Sequence, residues 1–318
     1  MKLSQTTLTW ENLDAYLKVP LGYRFVDKVQ LVSDREALGT KAVSSQDWYF
    51  RIHFPGNPVM PGVFIMESIE QTAIALLAVA GKQYRFQACE AMRLFGSVRP
   101  GDILQSYVNI TEEESPRVQC EGEAYIQQAD GSQQKICSMR FTLISEEVTS
   151  AGIAGDISAG ETVPEIPAKN VAVDFDNFDQ YIADPLEYRF LDKAKVVPPK
   201  AAWGMKNISS QEWYFPIACC NRPVVPHAVV MEVIMQTGAL SATTIDNGRF
   251  KLMMYNSCSK MQLYGQALPG ACIRTYVELR RFRNGVANLH GMAYADDQLL
   301  CRMDFILVAP GEMRQVRR

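Results

Sequence analysis

Residues 13–25 read LDAYLKVPLGYRF, and the pattern returns 165 positions later as FDQYIADPLEYRF at 178–190. Asp47-Trp48-Tyr49-Phe50 returns at the same offset as Glu212-Trp213-Tyr214-Phe215. HFPGNPVMPGVFIMESIEQT (53–72) is likewise matched by ACCNRPVVPHAVVMEVIMQT (218–237). Further on, RLFGSVRPGDI (93–103) pairs with QLYGQALPGAC (262–272), and SMRFTLIS (138–145) with RMDFILVA (302–309). The order of elements is shared, with small insertions, so the chain is an internal duplication. Its period is far longer than the roughly 20–50 residues of a solenoid repeat, and each copy is large enough to own a core. The expected organisation is a first domain over 1–146, a Gly-, Ala-, Ser- and Pro-rich linker over 147–170, and a second domain over 171–318.

Each copy has the same local grammar. An apolar run follows a proline, Pro61 to Ala80 in one and Pro226 to about Thr243 in the other. Proline in the first turn and Gly81 just past the end punctuate a helix. Segments rich in Val, Tyr, Ile, Phe and Thr follow, separated by turn signals at Arg99-Pro100-Gly101-Asp102, Glu114-Ser115-Pro116 and Asp130-Gly131. The second copy has Leu268-Pro269-Gly270, Asn284-Gly285 and Asp296-Asp297. These predict antiparallel strands. A helix apolar nearly all round must be covered on all sides, so the expected class is α+β, an antiparallel sheet wrapped around one long helix, twice.

Several functions are disfavoured. A net charge of −3 and a pI near 5.8 supply no basic surface for nucleic acid. The most apolar stretch, Val63 to Ala80, carries Glu67, Glu70 and Gln71, which are costly in lipid, so no membrane insertion is expected. No signal peptide is read at the N-terminus. Eight cysteines without a CxxC spacing read as buried hydrophobes in a reducing cytoplasm. Three histidines are too few for most His-based metal sites, and no metal is expected.

The chemistry-bearing residues lie between His53 and Gln71. His53 precedes a loop stiffened by Pro55, Pro58 and Pro61. The first N–H groups of the following helix, near Gly62 and Val63, lack helical partners and sit at the positive dipole end. They suit an oxygen that gains negative charge. Glu67, inside the helix, is desolvated and inclined to hold a proton. A histidine beside a proline-rich loop is by itself more often a loop hydrogen-bonder, and a helical Glu more often an edge residue. The combination is what points to chemistry.

His53-Phe54-Pro55-Gly56-Asn57-Pro58-Val59-Met60-Pro61-Gly62, with Glu67 fourteen residues after the His, resembles the signature of FabA/FabZ-type 3-hydroxyacyl-[acyl carrier protein] dehydratases. The Trp-Tyr-Phe triplets and tandem layout are similar to the double-hotdog dehydratase regions of polyunsaturated fatty acid synthases and polyketide systems. The resemblance implies a double hotdog fold in which the His of one copy works with the acid of the other, a pseudo-dimer within one chain. His53 would then pair with Glu232, and the mirror pair, Glu67 with Ala218, would be dead because alanine moves no proton. The resemblance also implies that the Val59 carbonyl orients His53, that the Gly62 N–H holds the thioester oxygen beside Val63, and that Gln71 and Gln236 hydrogen-bond the helix acids. It implies no cofactor beyond the phosphopantetheine on which an acyl carrier protein presents the acyl thioester. Phe64, Met66, Met231 and Met235 are expected along the acyl chain. Arg93, Arg99 and Arg280-Arg281-Arg283 are candidates for contact with an acidic carrier. His227 reads as a packing or capping residue, His290 as structural, and Cys219-Cys220 as buried thiols. Two other readings stand beside this one: a hotdog acyl thioesterase, and a non-catalytic module that binds acyl chains or carrier protein. Isomerisation of the enoyl product is a further option, against which two glutamates tilt the reading towards dehydration alone.

Overall fold

The computed structural model describes residues 6–54, 56–128, 130–148, 163–215, 223–245 and 250–310. The chain divides into two compact units. The first comprises residues 1–152 with 213–223, and the second comprises 153–212 with 224–318.

In the first unit, the strands are β1 (Thr7–Leu8), β2 (Lys28–Leu31), β3 (Glu36–Ala42), β4 (Tyr84–Leu94), β5 (Ile103–Glu114), β6 (Arg117–Gln127) and β7 (Gln133–Ser145). They form an antiparallel sheet in the order β1-β2-β3-β5-β6-β7-β4. The helix α1 (Gly62–Val79) packs against β2 to β7. Pro61 caps rather than opens it. Its extended ψ of 139° turns its carbonyl onto the Phe64 and Ile65 N–H groups, which donate at 3.0 and 3.3 Å. At the other end Gly81 takes a φ of +77°, and Gly81 and Lys82 return their N–H groups to Ala78 and Leu77. By length and composition α1 is apolar enough to cross a membrane, but the sheet buries it from Val63 to Ala78 apart from Ile74.

The second unit repeats this plan. Its strands are β8 (Val171–Val173), β9 (Lys193–Val197), β10 (Ala201–Asn207), β11 (Met254–Leu263), β12 (Cys272–Arg283), β13 (Val286–Ala295) and β14 (Gln298–Val308). The order β8-β9-β10-β12-β13-β14-β11 copies that of the first sheet, and α2 (His227–Thr243) occupies the place of α1. The turns predicted from Asn284-Gly285 and Asp296-Asp297 have both residues in the left-handed region, at φ 50° and 70° and at 50° and 64°. Two-residue hairpin loops favour this geometry because it matches strand twist.

Burial along the strands alternates as a half-covered sheet requires: Val118, Cys120, Ala124 and Ile126 point inward on β6, and Ala287, Leu289 and Ala293 on β13. Between them stand Gly122 and Gly291, where a Cβ would sit 2.2 Å from Ile69 and 2.3 Å from Ile234. The missing side chain lets each helix lie down on its sheet. Replacing either glycine by alanine is expected to destabilise its unit by about 1–3 kcal/mol through overpacking, whereas Gly22→Ala, with open space around it, should be nearly neutral. Urea midpoints of the three variants check this.

Candidate active site

His53 is held by a chain of short-range contacts that begins at a buried lysine. Lys41 on β3 reaches Asp27 and Asp47 at 3.5 and 3.6 Å. Asp47 in turn accepts from the Ser44 N–H at 3.0 Å and the Tyr49 hydroxyl at 2.9 Å, fixing the 3-10 turn Trp48–Arg51. The turn is packed by aromatic rings: Trp48 lies edge-on to Phe64 of α1, and its indole N–H donates to the Gly22 carbonyl at 3.1 Å. The His53 N–H then donates to Tyr49 at 2.9 Å.

The loop after His53 closes on itself twice. The Val59 N–H donates to the His53 carbonyl at 3.2 Å, and His53 Nδ1 lies 2.9 Å from the Val59 carbonyl. A carbonyl only accepts, so Nδ1 carries the proton and Nε2 keeps its lone pair. Loss of solvent around the ring lowers its pKa to about 4, against a smaller upward pull from the Val59 carbonyl. His53 is therefore a neutral base at neutral pH. Arg99 donates to Asn57 at 2.8 Å, and Met60 donates to Val98 at 2.9 Å, which pins the rest of the loop. The α1 ladder starts at Phe64 and Ile65, so the Gly62 and Val63 N–H groups take no part in it.

Glu67 is buried on α1 and accepts from the Tyr23 hydroxyl. Gln71 receives the Phe25 N–H at 2.8 Å, gives one amide hydrogen to the Tyr23 carbonyl at 3.0 Å and the other to Glu67 at 3.3 Å. In the second unit Glu232 is buried on α2 and accepts from the Tyr188 hydroxyl at 2.8 Å. Burial drives its pKa up to about 8; the Tyr188 bond opposes this, and the nearby Asp184 carboxyl adds to it. One expectation is corrected here. Gln236 does not bond Glu232: its amide nitrogen donates to the Tyr188 carbonyl at 2.7 Å and to Asp184 at 3.1 Å, while its oxygen accepts the Phe190 N–H at 2.9 Å. Asp184 is the reason, because it takes the second amide hydrogen.

Ala218, Cys219 and Cys220 lie outside the described residues. His227 is the first residue of α2, directly after its cap Pro226. His290 lies on β13 with Nδ1 2.6 Å from Asp304, a cross-strand pair. Phe64, Met66, Met231 and Met235 are all buried. Arg280 is tied to Asp304 and Glu278. Tyr23, Tyr188 and Asp184 were not picked out as site residues in the sequence, although the repeated Tyr-Arg-Phe of both copies was the available signal for the tyrosines.

The FabA-like domain family matches the chain twice, over residues 20–134 and 190–304. A 3-hydroxyacyl-[acyl-carrier-protein] dehydratase FabZ of Moorella thermoacetica is 40% identical over 103 residues, covering 31% of this chain and 72% of the relative. Among solved structures, the dehydratase domain from the CurF module of curacin polyketide synthase superposes with a TM-score of 0.59 at 11% identity, over 89% of this chain and 98% of that one. The dehydratase domain of RzxB from Pseudomonas fluorescens gives 0.58 at 10% identity, over 85% and 94%. At such identities the likeness is one of fold: the hotdog, twice.

The state of His53 is directly measurable. Long-range 15N–1H correlation of the ring is expected to show a protonated Nδ1 and a bare Nε2 from pH 5 to pH 8, with protonation only near pH 4. A ring that titrates near its ordinary value of 6.5 would contradict its desolvation, and a proton on Nε2 rather than Nδ1 would contradict the clasp with Val59.

Proposed function

The chain belongs to the FabA-like domain family, and we propose that it removes water from 3-hydroxyacyl thioesters carried on acyl carrier protein, giving trans-2-enoyl thioesters in fatty acid or polyketide biosynthesis. One arrangement carries this reading: Val59 holds the His53 Nδ1 proton while Glu232 is buried on α2 against the Tyr188 hydroxyl, and burial pushes the imidazole down to about 4 and the carboxyl up to about 8. Between those values a free imidazole and a protonated carboxyl coexist, which is the pair that an elimination needs.

In this reading His53 and Glu232 serve one site. His53 Nε2 takes the proton from the carbon next to the thioester carbonyl. The thioester oxygen gains charge and is held by the Gly62 N–H at the start of α1, beside Val63, where the helix dipole favours it. Glu232 gives its proton to the β-hydroxyl, the C–O bond breaks and water leaves. The enzyme is left with an imidazolium and a carboxylate, and exchange with solvent restores both. The Val59 carbonyl holds the Nδ1 proton throughout. Gln236 supports the site by anchoring the Phe190 N–H and the Tyr188 carbonyl rather than by touching the acid. In this reading the mirror pair of Glu67 and Ala218 is dead, because alanine moves no proton, so one chain carries one site. The pseudo-dimer of copies then fills the place of two subunits.

The reading asks for no metal or organic cofactor, since both proton transfers use side chains. The substrate arrives on phosphopantetheine, from an acyl carrier protein in the cytoplasm. Arg93 and Arg99 are the basic groups offered to it, and Arg280 is less suited because Asp304 and Glu278 already engage it.

Mass spectrometry of a 3-hydroxyacyl carrier protein is expected to show loss of one water with the wild type. His53→Ala and Glu232→Gln should each lose about 10²–10⁴-fold in rate, while Glu67→Gln keeps turnover. Equal losses from the two glutamate variants, with folding intact, would sink the pairing. Release of free thiol without water loss would make the protein a thioesterase, and binding without either reaction would make it a carrier module. The rate should rise with pH through about 4 as His53 loses its proton and fall above about 8 as Glu232 loses its own.

A further inference from the structure

The duplication supplies an internal control for the helix acid. In each copy the helix Gln accepts a backbone N–H, from Phe25 at 2.8 Å or Phe190 at 2.9 Å. In each it spends one amide hydrogen on a tyrosine carbonyl, Tyr23 at 3.0 Å or Tyr188 at 2.7 Å. One amide hydrogen is left over. In the first copy it goes to Glu67 at 3.3 Å. In the second it goes to Asp184 at 3.1 Å. The residue matching Asp184 in the first copy is Val19 (LKVP against IADP), which has no side-chain acceptor to offer. Asp184 is buried beside the first turn of the Leu186–Tyr188 segment, and Arg189 donates to its main-chain carbonyl at 3.2 Å.

We infer that Asp184 is a positioning residue for Glu232: it draws off the Gln236 amide and faces the acid with a second carboxyl, so that Glu232 keeps its proton. The inference rests on the reading of Glu232 as the proton donor given above. Its physics is simple. An N–H donated to a carboxyl favours the ionised form, and a neighbouring carboxyl disfavours it. In copy one the amide is on the acid itself, with Glu70 as a nearby carboxyl on the same helix; in copy two the amide is on Asp184, and Met235 stands where Glu70 stands in copy one. The direction agrees with the electrostatics. Asp184 pushes Glu232 up, and Asp184 is itself held at about 7 by burial, against the pull of Arg189 and the Gln236 bond.

The groups that act on the Glu232 carboxyl are Tyr188 and Asp184, and Arg189 acts on Asp184. His227 opens the same helix, and the strand β10 packed on α2 carries the buried Lys206, which is paired with Glu212 at 2.7 Å. The strands packed on α2 present Thr275 to Thr237, Phe305 and Leu289 to Gly238, and Gly291 to Ile234. None of these carries charge. His53 is the one further titratable group that the proposed reaction brings to the acid.

Two substitutions separate the two parts of the device. Asp184→Asn keeps an oxygen for the Gln236 amide and removes only the charge. Asp184→Val places the first copy's Val19 at this position, removing the charge and freeing the amide for Glu232. The full chain, labelled with 13C at the Glu carboxyl carbon, would be titrated by NMR, with Glu232→Gln identifying the signal. The Glu232 midpoint should fall in both variants, by about one unit or more in Asp184→Val and by less in Asp184→Asn. In the dehydration assay the high-pH limb should move by the same amount. Above that limb a one-unit shift is about tenfold in rate, while at pH 6 the variants should stay within about twofold of wild type. A merely structural Asp184 would lower the melting temperature and leave the midpoint alone. A midpoint that stays within about 0.3 unit in both folded variants overturns the inference, and if Asp184→Val does not fold, Asp184→Asn alone decides. Absence of water loss by the wild type would take down the reaction itself, whatever the titration shows. Water loss with an unmoved titration would take down the role of Asp184 alone.

Discussion

A helix enclosed by its own sheet must satisfy every polar group it carries from inside that enclosure, and the rest of the molecule follows from this. Glu67 and Glu232 are buried on α1 and α2, where an unpaired carboxyl would cost several kcal/mol. Each therefore sits in a small polar cage: each accepts from a tyrosine hydroxyl, and Glu67 also from Gln71 one helical turn on, whereas beside Glu232 the matching Gln236 is spent on Asp184 and the Tyr188 carbonyl. The glutamines do double duty, closing the backbone N–H of Phe25 or Phe190 as the chain enters the sheet. The same enclosure that requires the cage also strips water from the acid. For Glu232, structural satisfaction and a raised pKa are thus two consequences of one burial.

The histidine is governed by the opposite arrangement. It stands not on the helix but before it, on a loop whose ends are joined by Val59 in both directions. A ring held by a carbonyl at Nδ1 has its tautomer chosen for it, and its exposed chemistry is confined to Nε2. The stiffness of the prolines narrows the paths between His53 and Gly62, so base and helix end are placed by one short segment. Lys41 and Asp47 extend that control back to β3. The equivalent pair in the second copy, Lys206 and Glu212, is kept at 2.7 Å, so this scaffold persists where the loop sequence beyond it has changed.

Much of this was legible in the sequence because it is periodic or local. The duplication, both helices to within a residue or so, the hairpin turns at Asn284-Gly285 and Asp296-Asp297, and the His53 loop all announce themselves in runs of adjacent residues. The cages do not. Tyr23 and Glu67 are 44 residues apart, Asp184 and Gln236 are 52 apart, and nothing in either segment alone says that they meet. The expectation that Gln236 bonds Glu232 failed for that reason: helical spacing of four puts the two on one face, but a side chain arriving from another segment offered a better acceptor. Register along a helix gives candidates for contact, and competition among all acceptors within reach decides.

The first copy shows what a helix acid does for the core of such a fold. Removing Glu67 without replacement would leave the Tyr23 hydroxyl and one Gln71 amide hydrogen buried and unanswered, at about 1–3 kcal/mol for each orphaned group. A residue that accepts both bonds keeps the core whole whether or not it ever moves a proton. In sequence, the segment matching the His53 loop precedes α2 and has changed, with Ala218, Cys219 and Cys220 where the first copy has His53, Phe54 and Pro55. Divergence of a duplicated hotdog is therefore expected to be lopsided. The acid side is preserved by packing in both copies, and the base side survives only where the chemistry needs it. A lone histidine in the first copy and two caged glutamates are what that asymmetry produces.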